Sequence, residues 1–328
     1  MEDDKQHPHP VRKESRTTSP AEEVSSPDNT HSRNKEPTDE RESSVSEHEH
    51  HHHQHSAQPK TTTTLTAATS SSMIPASINY NVNVQFDPAT PQAGKPTHLS
   101  LIVTEQKVGE PIKQFDTIHD KLMHLIIVNS EDLSHFAHIH PKLDKETGIF
   151  RINHTFAKAG KYKMWIDTKP KGGIQVLTAF SFNVEGQPVH TPASITSDKT
   201  FLKEVVTDGQ TYQITLDLHQ ERLGVGRDTK MTFEIRDANG KPISNLEPLM
   251  AAGGHCVIIG VEGHEFLHVH PAEEEVDYGG SDVASWRGGP SVSFLANFPK
   301  QGLYRAWGQF QHEGKLLTAD FTFEVVTG

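Results

Sequence analysis

The sequence predicts an all-β protein with two tandem immunoglobulin-like β-sandwich domains behind a disordered N-terminal tail. Three observations predict this class: a tail with almost no large apolar residue, alternating apolar and polar residues from Ile78 onward, and a second occurrence of the same alternating pattern. The predicted boundaries are a His-rich acidic tail over 1–76, sandwich repeats over 77–187 and 199–328, and a linker over 188–198.

The N-terminal tail is rich in Ser, Thr, Pro, Glu, Asp and Lys, and such a segment cannot bury enough apolar surface to offset its ordering entropy. It contains the tract EHEHHHHQHS. Neutral imidazoles on a flexible chain chelate divalent metals, so the tract is a candidate for metal capture. The alternatives are a solvated polar run or an expression tag, and the interrupting Glu and Gln argue against a tag. The tract histidines are His48, His50, His51, His52, His53 and His55.

The strands after the tail follow from period-two alternation. Val, Ile, Phe and Tyr alternate with polar residues, turn-forming residues separate the runs, and no stretch sustains a 3.6-residue period. The runs in the first copy read INYNVNVQF, THLSLIVTE, LMHLIIV, FRINHTF, YKMWID and AFSFNV.

The second half of the chain repeats the first. HLIIV matches HCVII, FAKAGKYKMW matches FPKQGLYRAW, and FSFNV matches FTFEV. Each copy has the size and the roughly seven strands of an immunoglobulin-like sandwich. The matched aromatic residues are expected in the sandwich cores, because large rings fill such interiors. They are Phe156, Tyr162 and Trp165 in the first copy, and Phe298, Tyr304 and Trp307 in the second.

A histidine-rich heptad occurs once in each copy, as HFAHIHP at 135–141 and EFLHVHP at 265–271. Each heptad follows an apolar strand and a turn, which predicts a β-hairpin. Alternate strand residues share a face, so the two histidines of each His-x-His-Pro motif point the same way, and a histidine on the preceding strand can join them. Three imidazoles at that spacing can bind one metal ion. The predicted ligands are His124, His138 and His140 in one hairpin, and His255, His268 and His270 in the other.

Other candidates rank lower. His119, Met123, His135 and His264 lie close to the heptads or their partner strands in sequence. The second copy adds Met250 and His312, and a thioether or thiol ligand would bias a site toward Cu(I). Met164 and the single cysteine, Cys256, are most simply core residues. The competing interpretation of the heptads is structural, with ring nitrogens bonded to backbone carbonyls and no metal involved.

Composition excludes several classes. The formal net charge of −12 argues against a nucleic-acid partner, because phosphate binding needs a basic surface. One cysteine permits neither an intrachain disulfide nor a thiolate zinc finger. No run of 18 apolar residues predicts a membrane span, and no secretory signal is visible, which leaves a cytoplasmic location open.

The strings GHCVIIGVEGHEFLHVHP, SFLANFPKQGLYRAWGQF and LLTADFTFEV resemble a group of bacterial extracytoplasmic HxHP-containing domains with immunoglobulin-like or cupredoxin-like folds. That group is associated with heavy-metal and copper handling. The resemblance implies a periplasmic or cell-surface location and, residue by residue, His255, His268 and His270 as ligands. By the internal repeat it extends to His124, His138 and His140. The first copy departs from the pattern where Met123 replaces a glycine.

The sequence therefore predicts a non-enzymatic metal-binding protein that handles copper, or alternatively zinc. An adhesion or scaffold protein with structural histidines is the alternative. A metalloenzyme is the weakest hypothesis, because His119–Asp120 is the only acid–base pair near a heptad and the second copy lacks it.

Overall fold

A computed structural model describes residues 62–64, 72–75, 79–187, 194–262, 265–269, 271 and 283–327, with side chains from 79 onward. The predicted disordered tail lies outside these residues, except for two short strands at 62–64 and 72–75. Both strands extend sheets of the first sandwich through backbone hydrogen bonds, which alternation alone does not reveal. No helix in the described ranges is long and apolar enough to cross a membrane.

The first sandwich is built from two sheets. Its strands are β1 (Thr62–Thr64), β2 (Ser72–Pro75), β3 (Tyr80–Asp87), β4 (Pro96–Glu105), β5 (Phe115–Asp116), β6 (Met123–Asn129), β7 (Phe136–Ile139), β8 (Lys142–Asp144), β9 (Ile149–Thr155), β10 (Gly160–Pro170) and β11 (Val176–Val184). One sheet has the order β1-β11-β10-β6-β7, with β5 also paired to β10. The other has the order β2-β3-β4-β9-β8.

The second sandwich repeats this plan. Its elements are β12 (Leu202–Thr207), β13 (Gln210–Asp217), β14 (Leu223–Gly224), β15 (Asp228–Asp237), β16 (His255–Gly260), β17 (Phe266–Val269), a 3-10 turn (Val283–Ser285), β18 (Ser291–Asn297), β19 (Gly302–His312) and β20 (Lys315–Val326). One sheet has the order β12-β13-β15-β18 and the other β14-β20-β19-β16-β17. The predicted all-β class with two immunoglobulin-like sandwiches is confirmed.

The two sandwiches belong to one compact unit and pack through the sheets that carry β6–β7 and β16–β17, here called the inner sheets. Along β6, Leu125 and Ile127 point into the core of the first sandwich, while Ile126 and Val128 point toward the second. A strand buried on both faces reads as a continuous apolar run, which explains the strings LIIV and CVII.

Two aromatic stacks hold the inner sheets together. Phe136 stacks on Trp307 with ring centroids 4.6 Å apart, and the equivalent Phe266 stacks on Trp165 at 5.2 Å. The prediction that Trp165 and Trp307 fill the sandwich cores is therefore wrong. Each alternates away from the core side of its strand and is buried between the sandwiches. Phe156 and Tyr162 do lie in the first core, and Phe298 and Tyr304 in the second.

Candidate metal centre between the two sandwiches

Each heptad forms a hairpin with the strand before it. In the first sandwich, Ile126 pairs with His138 and Leu125 with Ile139. His124 and His138 therefore share the face of Ile126, as the alternation predicts. The same pattern recurs in the second sandwich, where Val257 pairs with His268. The shared face is the inner face in both sandwiches, so the histidines of both hairpins point toward the interface.

The histidines of the two hairpins meet in a single cluster. The ring centroid of His268 lies 5.0 Å from that of His138 and 5.2 Å from that of His124. His140 lies 4.8 Å from both His124 and His138, and His255 lies 5.9 Å from His138. The sequence predicts one site for each hairpin, whereas the structure joins the two sets of rings across the interface.

Hydrogen bonds to the rings of His124 and His138 determine which ring nitrogen of each points into the cluster. His124 donates Nε2–H to the Ile118 carbonyl oxygen at 2.7 Å, which leaves the lone pair on Nδ1. His138 donates Nδ1–H to Gln309 Oε1 at 2.8 Å, which leaves its lone pair on Nε2. The Gln309 amide is oriented for this role, because its Nε2 donates to Thr318 Oγ1 at 3.3 Å.

The two lone pairs then face one another. His124 Nδ1 lies 3.0 Å from His138 Nε2, and His140 Nε2 lies 3.2 Å from the same His124 nitrogen. One nitrogen each from His124, His138 and His268 falls within 4.8 Å of the others. Two nitrogens whose hydrogens are engaged elsewhere repel one another unless a proton or a cation lies between them.

Burial disfavours a proton in that position. Burial lowers the pKa of His124. For His138, burial and, to a smaller extent, the neighbouring His124 lower the pKa to about 3. Burial, followed by His138, lowers the pKa of His140 to about 2, and burial lowers the pKa of His255 well below its usual value. These four rings are therefore neutral at neutral pH, and metal ligation requires neutral imidazoles.

His119, ranked low from the sequence, joins the cluster. Its ring centroid is 5.6 Å from that of His268 and 6.1 Å from that of His255, both in the opposite sandwich. The tight turn that bridges Ile118 and Lys121 places it there, with a φ of 48° at His119. The turn is positioned by the same Ile118 carbonyl that accepts the hydrogen bond from His124.

Exposure differs between the two sides of the cluster. His124 and His255 are fully buried and His268 is 6% exposed, whereas His138 and His140 are half-buried. A groove of about 440 Å³ runs along the interface on the side of His138. Its lining includes Phe136, His138, Trp307, Gln309, Thr318 and Asp320. An ion or small ligand from solvent therefore reaches His138 before the buried rings.

Two candidates from the sequence do not join the cluster. Met123 lies in the core of the first sandwich, because it alternates away from His124. His135 lies on the opposite side of its strand from the cluster, and its Nε2 is 3.3 Å from His154 Nε2. Burial, followed by His135, lowers the pKa of His154 to about 4.

The remaining candidate residues lie either away from the cluster or outside the described residues. Cys256 and Met164 are core residues, as predicted. His312 is hydrogen-bonded to Tyr212 and Asn245 instead of facing the cluster. The remaining candidates lie outside the described residues: His264, His270, and the tract residues His48, His50, His51, His52, His53 and His55.

Two buried polar residues on strands beside the cluster are absent from the sequence-based candidates. Gln309 pairs with His255 across β19 and β16, and Asp167 occupies the equivalent position beside His124 in the first sandwich. Asp167 is buried, accepts a 2.7 Å hydrogen bond from Gln175 Nε2, and has its pKa raised to about 6 by burial. The repeat alignment could have found both, because each follows a matched Trp by two residues.

A family model described as a domain of unknown function (DUF8832) matches residues 76–186 and 204–327. No curated protein matches the chain. Among solved structures, the Escherichia coli adhesin FdeC is 15% identical, with 79% of this chain and 67% of that one covered and a TM-score of 0.24. The D00-D0 domain of intimin is 11% identical, with 75% and 99% covered and a TM-score of 0.21. Salmonella alpha-2-macroglobulin is 12% identical, with 80% of this chain but only 16% of that one covered and a TM-score of 0.23. Similarity at this level carries no conclusion about function.

Proposed function

This chain belongs to the DUF8832 family of domains of unknown function, and we propose that it is a metal-binding protein whose site lies between its two sandwiches. One observation carries the proposal: His124 Nδ1 and His138 Nε2 present lone pairs to one another at 3.0 Å inside the interface. A bound cation removes the repulsion between those lone pairs, whereas a proton there would have to charge a buried ring.

The nitrogen separations fit a coordination sphere. For metal–nitrogen bonds of about 2.0–2.1 Å, neighbouring ligand nitrogens lie about 3.3 Å apart in a tetrahedral site and about 2.9 Å apart in a square-planar one. The observed separations of 3.0 and 3.2 Å fall between these values. The backbone carbonyl of Ile118 and the amide of Gln309 accept hydrogen bonds from His124 and His138, and groups of this kind orient ligating histidines in metal sites.

We favour copper over zinc. Imidazole ligands suit both Cu(II) and Zn(II), and Cu(II) binds a given nitrogen site more tightly than Zn(II). The resemblance to copper-handling domains points the same way. We further propose a role in metal handling or resistance instead of catalysis, and a location outside the cytoplasm, the latter on the resemblance alone.

The test uses the full chain with the six tract histidines changed to asparagine, so that the tail contributes no binding. Metal-free protein is loaded separately with Cu(II) and Zn(II), and bound metal and melting temperature are measured. Binding to the folded state alone stabilises it by about 2.7 kcal/mol when free metal is about 100-fold above Kd. The variant with both His138→Gln and His268→Gln, here called the cluster variant, should show no metal-dependent shift in melting temperature.

A matched control keeps the number and type of changes constant. His135→Gln with His154→Gln alters two neighbouring histidines outside the cluster and should retain both the bound metal and the shift. Equal metal binding by the cluster variant and the control would refute the assignment.

The alternative function is an adhesion or scaffold module with structural histidines. The hydrogen bond from His138 to Gln309 favours it, because this bond joins the two sandwiches without any metal. It predicts that the cluster variant melts at lower temperature in the presence of a chelator, with no added effect of metal. The metal-binding proposal instead predicts that the difference between variant and background grows as metal is added.

A further inference from the structure

The two halves of the histidine cluster are related by an approximate two-fold operation. Phe136 stacks on Trp307 of the other sandwich, and the equivalent Phe266 stacks on Trp165. His255 donates Nε2–H to the Leu249 carbonyl oxygen at 3.0 Å, which repeats the bond from His124 to Ile118. Each half therefore presents its anchored histidine through Nδ1, in an equivalent backbone setting.

The cluster has more imidazoles than one ion takes. Copper and zinc sites in proteins use about three or four protein ligands, and six described histidines meet here. One group consists of His124, His138 and His140, with nitrogens 3.0 and 3.2 Å apart. The remaining rings are those of His255, His268 and His119, whose centroids lie 5.6 to 6.1 Å apart.

Among the described residues, the two turns beside the cluster differ in the side chain that they present. The turn Ile118–Lys121 corresponds to the turn Leu249–Ala252, so Met250 takes the place of His119. Both positions have left-handed backbones, with φ of 48° at His119 and 49° at Met250. The His119 ring faces the histidines of the opposite sandwich, and a Met250 side chain directed in the equivalent way would face His124 and His138.

We propose that the cluster holds two metal ions in unequal subsites, an inference that rests on the proposed metal-binding function. The first subsite consists of His124, His138 and His140 with the Met250 thioether, and the second of His255 and His119, with His268 between them and able to join either one. A soft thioether beside imidazoles suits Cu(I), whereas imidazoles alone suit Cu(II) or Zn(II). In the first subsite, half-buried His138 lines the interface groove, whereas His255 in the second subsite is fully buried.

The test titrates the full chain, again with the tract histidines changed to asparagine, with Zn(II) and, under anaerobic conditions, with Cu(I) against a competing chelator. The background protein should bind two equivalents. His119→Asn removes the ring while keeping a residue that tolerates the left-handed backbone, and it should lose one equivalent of Zn(II). Met250→Leu should weaken one Cu(I) equivalent at least tenfold and leave Zn(II) binding unchanged.

A variant that binds metal more tightly is a useful control, because misfolding cannot explain tighter binding. Met250→His supplies the ligand that the second subsite already has, so it should tighten Zn(II) binding at the first subsite. One equivalent in both the background and His119→Asn would overturn the two-ion proposal while leaving the proposed function intact. No binding by the background would overturn both. Two equivalents with no effect of either Met250 change would refute the unequal subsites.

Discussion

Gln309 provides a sharp test of the histidine cluster, because it sets the tautomer of His138 without itself facing the lone-pair contact. The side chain is 4% exposed, and its Oε1 accepts the His138 Nδ1–H at 2.8 Å. Gln309→Leu removes that acceptor. The ring can then move its hydrogen to Nε2 and donate to His124 Nδ1, which already lies 3.0 Å away.

The expected effects on stability and metal affinity differ in size. A buried donor without an acceptor costs about 1–3 kcal/mol, but the change of tautomer exchanges one hydrogen bond for another. Metal-free stability should therefore change by less than about 1 kcal/mol. Metal affinity should fall about 10- to 100-fold, because the inward lone pair is lost and outer-sphere support typically has that effect. In free energy this is about 1.4–2.7 kcal/mol of binding.

The assay measures Kd by chelator competition and stability by denaturant unfolding in the presence of chelator. Gln311→Leu is the matched control, since Gln311 lies on the same strand and bonds Glu247 at 3.1 Å, away from the cluster. Its metal affinity should match that of the unmodified chain. The reasoning is refuted if Gln309→Leu leaves the affinity unchanged while destabilising the metal-free protein, which is the outcome expected of purely structural histidines.

Three further predictions concern stability. Phe266→Ala should lower the free energy of unfolding by about 3–5 kcal/mol, and the equivalent Phe136→Ala should lower it clearly less, because Phe266 is 3% exposed whereas Phe136 is half-buried. Denaturant unfolding measures both losses, and equal losses would contradict this difference in burial. Gly308→Ala should destabilise by about 1–3 kcal/mol, because a Cβ there meets the Phe233 ring at 2.5 Å, and adding Phe233→Leu should restore most of the loss. Metal-free protein should lose stability as pH falls below about 6.5, because the unfolded chain then protonates histidines that the folded chain keeps neutral, His138 down to about 3. Melting temperatures across that range should fall less steeply in His138→Gln, and an unchanged slope would count against the buried neutral ring.

The local structure of this protein could be predicted from residue patterns. The alternation of apolar and polar residues predicted the strands, because successive side chains on a strand point to opposite faces in any tertiary context. The hairpin of β6 and β7 and the shared face of His124 and His138 follow from the same periodicity. The runs LIIV and CVII also carried a signal that their strands are buried on both faces.

The partners of those faces could not be predicted in this way. Gln309 has no distinguishing sequence feature, and its role arises only because the second sandwich presents it to His138, 171 positions earlier in the chain. His119 gains its role from a turn that projects it into the opposite sandwich. Trp165 was expected in a core, because alternation specifies that a residue is on one face but not what covers that face.

The sequence by itself determined the β class, the duplication, and which histidines share a face in each hairpin. These depend on short-range backbone geometry and on a pattern repeated within the chain. The tertiary structure alone decided that the two histidine faces meet each other instead of solvent, and that two predicted sites form one cluster. That outcome depends on the packing of two inner sheets through aromatic stacks that join residues far apart in the chain, and no local pattern encodes such a contact.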